Sequence, residues 1–260
     1  MRSSRSRWRR CRPHADADGC RACNNQTPRH KKEWRASRLI AGRVFAACAR
    51  LRDAIQNRPM ATLAPSRKET ILARAEQHFA DHGFQGASLS AIARDCEVGN
   101  PGLLHHFASK EVLYRAVLEK QAEDLTARIC KRVEAAPDLP ARLQAFVALQ
   151  VEWMHARPTG FKLVTRELLD NAERIQHAQT RPLEGFLQAS LGLVAAAQAA
   201  GLVRDDLSAV VVLTLIFGML NYAKMARPTF AKTFAEPALK SDTAWMKAMA
   251  RDVLRVISPP

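Results

Sequence analysis

The chain has 260 residues, 25% of them charged and 47% hydrophobic, with a formal net charge of +15. That length can bury a sizeable core in one or two domains. The charge is uneven: residues 1–59 hold sixteen Lys and Arg against four Asp and Glu, so +12 of the +15 lies there and charge alone excludes nothing about partners of the remainder.

The first 59 residues are Arg-rich and lack a sustained helical or strand period outside Leu39–Ile55. They read as a basic extension with too little apolar surface to offset its ordering entropy. The character changes at Met60, a plausible initiator, and helical punctuation begins there. Four of the six cysteines (Cys11, Cys20, Cys23 and Cys48) fall in the extension. Cys11-x2-His14 followed by Cys20-x2-Cys23 has the donor types of a Cys3His zinc site. The density of Arg around them favours incidental cysteines, and no metal is expected. Cys96 and Cys130, inside helical patterns, read as buried thiols of a reducing compartment.

No apolar h-region follows the basic start, so no signal peptide is expected. The most apolar run, Leu207 to Leu220, is shorter than the roughly 18–20 residues that span a bilayer. A cytoplasmic protein without membrane contact is expected.

From residue 66 onward the elements are helices. Ser66-Arg67-Lys68-Glu69 has the spacing of a capping box. Ile71, Leu72, Ala75 and Phe79 then form one helical face, and Gly83 supplies a stop. A second helix follows Ser88, with Leu89, Ile92, Ala93 and Cys96 on one face, and Glu97-Val98-Gly99 breaks it. Asn100 is expected to cap a third helix with Pro101 in its first turn. Ser109 is expected to cap a fourth, carrying Val112, Leu113, Ala116 and Val117. Pro137–Pro140, Arg157–Gly160, Arg181-Pro182, Gly201 and Arg227-Pro228 divide the rest, and a last helix runs from near Ser241 to before Pro259. The pattern predicts an all-α fold of about nine helices. Its domains are expected at 60–120 and 121–260.

Helices two and three, joined by a short turn containing Gly99, match helix-turn-helix geometry, in which the second helix enters the major groove. Leu103 and Phe107, four apart, should anchor that helix against Phe79 and Ile92. This leaves Asn100, Gly102, Leu104, His105 and His106 pointing away.

Gly83-Phe84-Gln85-Gly86-Ala87-Ser88-Leu89-Ser90-Ala91-Ile92-Ala93, together with Val98 through Lys110, resembles the DNA-binding unit of the TetR family of transcriptional regulators. The resemblance covers residues 66–120. It implies an operator-binding homodimer, most often a repressor, released by a small-molecule inducer and using no catalytic cofactor. Carried over position by position, it implies that Ser88 caps helix two and touches a phosphate. Asn100 and Pro101 would lead the recognition helix, the Asn amide being able to read adenine. His105 and His106 would face the groove, and Lys110, Arg67 and Lys68 would contact phosphates. Two positions depart from the family pattern: Leu104 stands where a phosphate-binding Tyr is usual, and Gly102 where a hydroxylated residue is common.

In the second domain, Asp205-Asp206 is expected to open a helix at its positive dipole end. Val211, Thr214, Gly218 and Asn221 then lie on a helix apolar nearly all round, read as the dimer seam. The resemblance implies that the last helix, with Trp245 and Met249, is the second member of that seam. Trp153, Phe161, Arg166 and Phe186 are the candidate ligand residues, since a few polar groups among aromatics suit a cleft. An enzyme is the rival class. Neither a Gly-rich phosphate loop nor a nucleophile elbow supports it, and the lone histidines His155 and His177 form no catalytic constellation.

Overall fold

A computed structural model describes residues 66–170 and 183–259. Among them are nine α-helices, one short 3-10 turn (Pro237–Lys240) and no strand. The helices are α1 (Arg67–Gly86), α2 (Leu89–Asp95), α3 (Asn100–His106), α4 (Lys110–Ala135), α5 (Leu139–Ala156), α6 (Pro158–Asp170), α7 (Glu184–Ala199), α8 (Ala209–Thr233) and α9 (Asp242–Ile257).

The caps follow from short polar side chains at the expected places. Ser66 accepts from the Glu69 N–H while its own N–H donates to Glu69 Oε2 at 2.8 Å, closing the capping box. Ser88, Ser109, Asp138, Ser208 and Ser241 cap α2, α4, α5, α8 and α9, each side chain accepting a backbone N–H of the first turn. Gly83 bends α1 instead of ending it. Its φ of +69° suits glycine, and the helix resumes to Gly86.

Two hydrophobic cores result. The first gathers Ile71 and Phe79 of α1, Ile92 of α2, Leu103 of α3 and Leu113 and Tyr114 of α4, with Leu163 of α6 added to it. Phe79 meets Tyr114 edge-on, with centroids 4.7 Å apart. The second joins Phe146 and Trp153 of α5, Phe186 and Val194 of α7, Ile216 and Leu220 of α8, and Met246 and Val253 of α9. α4 serves both: Leu113 and Val117 lie in the first core, Leu125 and Ile129 in the second. The division expected at 120/121 therefore passes through one unbroken helix.

Several local expectations are corrected. Val112 is exposed, and Tyr114 and Leu118 take the core positions beside Leu113 and Val117. Asp205-Asp206 does not open α8. Asp206 pairs with Arg204 in the preceding loop, and Ser208 is the cap. Arg227-Pro228 does not divide the chain either, because α8 continues through Pro228 to Thr233. That makes α8 25 residues long with a mean hydropathy of 1.7 in its apolar window, long and apolar enough to span a bilayer by length and composition. The shorter run read from the sequence underestimated it. Cys96 is a free, half-buried cysteine, whereas Cys130 is disulfide-bonded, so the expectation of two free thiols fails at Cys130. The basic extension, its zinc alternative and His177 lie outside the described residues.

Candidate nucleic-acid interface

α3 is positioned by two anchors. Leu103 is fully buried and Phe107, at its C-cap, is 2% exposed, both in the core with Phe79 and Ile92. Fixing those two turns the rest of a seven-residue helix outward: Asn100, Pro101, Gly102, Leu104, His105 and His106 are all exposed. The preceding turn is held by Glu97, a non-glycine residue at φ +55°, and by the Val98 N–H donating to Ala93 O at 3.0 Å. The left-handed position of the turn is therefore Glu97, while Gly99 is extended at φ −73°. α2 is tied to α1 by His78 Nε2 against Asp95 Oδ2 at 2.7 Å, which holds the Asp95 carboxyl below its ordinary value.

Asn100 does not cap α3. Gly99 occupies the cap position and makes no side-chain bond, while the Asn100 amide donates to Ser90 Oγ of α2 at 2.9 Å. The Asn100 side chain is thereby engaged on α2, and Pro101 still falls in the first turn, where a missing N–H leaves no helical bond unmade. Lys110 is also engaged within the chain. Its ammonium donates to Gln85 O at 3.1 Å and lies 5.0 Å from the Phe84 ring centroid, clamping the exit of α1 onto α4. Lys68 lies over Phe107 at 5.8 Å. Arg67 is exposed at the start of α1, and Ser88 is exposed with its hydroxyl used as the α2 cap.

The other candidates lie on α5 to α9. Trp153 and Phe186 are buried in the second core, and Phe161 packs partly buried against it. Arg166 does not join them. It faces α1, donating to Asp81 O at 3.3 Å and to Asp170 at 3.2 Å, because that side of α6 is laid along the DNA-binding unit. On α8, Val211, Thr214 and Gly218 form one exposed stripe, and Asn221 lies half-buried beside it. Tyr222 and Met225 extend the stripe, four and seven residues beyond Gly218, and are more exposed than Val211. The sequence reading did not single them out, although both lie before Pro228 on the same helix. Trp245 and Met249 turn inward: the Trp245 indole donates to Ala223 O at 2.9 Å, and both pack on the core of their own chain.

With this geometry in place, comparison with known proteins is informative. A family model described as bacterial regulatory proteins, tetR family, matches residues 71–117, which hold α2 and α3. A second, described as tetracyclin repressor-like, C-terminal domain, matches 140–257. Together they take in most of the described chain. The chain belongs to the TetR family.

Among curated TetR-family relatives, the HTH-type transcriptional regulator UidR of Escherichia coli K12 is 32% identical over 93 residues, 36% of this chain and 47% of that one. RutR of the same organism is 31% identical over 132 residues, 50% of this chain and 61% of that one. The chain thus spans about half the length of the curated relatives it matches. Among solved structures, the putative transcriptional regulator SCO4942 from Streptomyces coelicolor is similar, with a TM-score of 0.58 at 28% identity, covering 75% of this chain and all of that one.

Proposed function

We propose that this TetR-family chain is a DNA-binding transcriptional regulator, a cytoplasmic repressor that grips operator DNA as a homodimer and lets go when a small molecule enters its second domain. The observation that carries the reading is the outward face of α3, held rigidly by two buried anchors while six of its residues meet solvent. Residues 60–120 act as the reading head and 121–260 as the effector and dimer part. His105 and His106 face the groove, with ring centroids 5.6 Å apart. Leu104 offers an apolar contact to a thymine methyl, and Asn100 reads adenine after exchanging its Ser90 bond for the base edge. Arg67, Lys68, Ser88 and the N-terminus of α4 at Lys110 hold phosphates, the last through the helix dipole as well as through the side chain.

The exposed α8 stripe is read as the dimer seam. An apolar helix buried on one side and bare on the other needs a partner surface, and the small residues Thr214 and Gly218 permit close approach of a second helix. This reading also accounts for the bilayer-length apolar helix without a membrane.

The test is selection of fragments from total genomic DNA by the purified full chain, followed by affinity for selected and scrambled duplexes at physiological salt. The expected result is a pseudo-palindromic site with half-sites related by whole helical turns. Equal affinity for both duplexes overturns the proposal.

A further inference from the structure

Polar groups in the second core are mostly matched. Ser190 donates to Phe186 O at 2.8 Å, Thr126 to Ala122 O at 2.6 Å, and the Trp245 indole to Ala223 O at 2.9 Å. Among the exceptions are two on α5: Gln150 and Trp153 are each only 4% exposed, and neither Gln150 Nε2 nor Trp153 Nε1 has a hydrogen-bond partner among the described residues. A buried N–H with no acceptor carries its full desolvation penalty, so such groups are uncommon and ask for an explanation.

The two orphans lie three residues apart, as neighbours on one helical face with Cβ atoms about 5–6 Å apart. That spacing lets one oxygen with two lone pairs serve both. The core that Trp153 belongs to is rich in aromatics: Phe146, one turn before Gln150, lies 6.1 Å from the Phe217 ring, which stacks on Phe186 at 5.7 Å. Both donors are neutral, so they match a neutral acceptor. An ionised carboxylate buried against two uncharged N–H groups would keep most of its desolvation cost. Arg157, the cation nearest Trp153 in the chain, is already held by Glu76 and Gln121.

We infer that Gln150 and Trp153 form the polar floor of an effector site in the second core, taking an apolar molecule that presents a neutral carbonyl oxygen: a ketone, ester or amide. The inference rests on the ligand-released reading above and specifies the chemistry of its ligand. The location suits a signal. The Trp153 ring edge (Cζ2) lies 3.4 Å from where a Cβ would stand on Gly160, and the Gln121 amide crowds the same point. Gln121 in turn holds Glu76 of the DNA-binding unit at 2.8 Å. An occupant bonded to Trp153 would therefore lie next to the contact that joins the two parts of the molecule.

The experiment uses three soluble probes of similar size: acetophenone, ethylbenzene and benzoate, titrated calorimetrically into the full chain and into Gln150→Leu and Trp153→Phe. Acetophenone should bind the unaltered protein about tenfold more tightly than ethylbenzene, with benzoate weaker than acetophenone. Each substitution should lose about tenfold for acetophenone and nothing for ethylbenzene. Gln150→Met, closer in volume, replaces the leucine variant if that does not fold. No acetophenone binding at millimolar concentration, equal affinity for the two neutral probes, preference for benzoate, or variants indistinguishable from the unaltered protein would each overturn the inference. Operator affinity, read on the same samples with and without probe, keeps the two readings apart. A compound that releases operator equally from all three proteins sinks the Gln150–Trp153 site and leaves ligand release standing. Acetophenone that binds through both donors without releasing operator does the reverse.

Discussion

Gln121 Nε2 donates to Glu76 Oε2 at 2.8 Å, joining α1 of the reading head to α4 through a carboxylate that is only 8% exposed. Arg157, at the corner between α5 and α6, closes the ring with 3.2 Å to the same carboxylate and 3.4 Å to Gln121 Oε1. Gly160 must lack a Cβ there, since one would overlap Gln121 Oε1. Alongside, Lys162 binds Asp81 at 2.7 Å and holds that carboxyl below its ordinary value. The reading head is thus fastened to α6 by polar contacts as well as by Leu163.

Removing the Gln121 amide leaves a buried carboxylate with Arg157 as its remaining ring partner. Gln121→Ala should cost about 1.5–3 kcal/mol, the range for hydrogen bonds to charged groups, read as a lower urea midpoint at unchanged slope. Gly160→Ala should be costly in the unaltered protein and tolerated in Gln121→Ala, where the overlapping oxygen is gone. A double-mutant cycle measures that coupling, and additivity would refute the crowding.

Asn100→Ala should weaken operator binding by about 1–3 kcal/mol at particular base pairs and little on random DNA. Lys110→Ala should weaken binding to all sequences and flatten the dependence of affinity on salt, as loss of a phosphate contact does. Because Lys110 also clamps Gln85 O, a fall in melting temperature should accompany its loss. Titrations at several salt concentrations separate the two effects.

Gly218→Glu places a charge in the middle of the exposed α8 stripe, where the glycine has open space around it within its own chain. The monomer fold should survive while the dimer does not, giving monomers in sedimentation at micromolar concentration and loss of operator binding. A mutant still dimeric would move the seam elsewhere.

Asp242 joins α9 to α8 and α5, with Lys224 bonded to it, His155 Nε2 at 2.8 Å and Arg227 Nε at 3.9 Å. Burial raises its pKa, but the Lys224 bond and charge, with His155, outweigh that and leave it below the ordinary value. A lowered folded pKa means that the stabilisation is present above the unfolded value of about 3.9 and is lost as pH falls through the folded one. Asp242→Asn should therefore melt below the unaltered protein at pH 7, with the gap closing as pH drops below about 4. Melting curves across that range check it. A gap independent of pH would show that the carboxylate charge contributes nothing.

The local signals in this sequence were strong where the cause is local. A Ser three residues before a Glu, just ahead of an apolar helical run, caps the helix with its own neighbours, and the helical spacing of Ile71, Ala75 and Phe79, or of Leu103 and Phe107, decides which face is buried. Those features were enough for the all-helical fold and the outward set on α3. Tertiary structure decided what depends on a neighbour distant in sequence. Asn100 turned to Ser90 because α2 brings that hydroxyl within 2.9 Å. Arg166 left the effector side because α6 lies against α1, and α8 ran through Pro228 where a local reading stopped it. The orphan donors of Gln150 and Trp153 were equally illegible, since an amide and an indole are unmatched only once every surrounding helix has arrived without an acceptor.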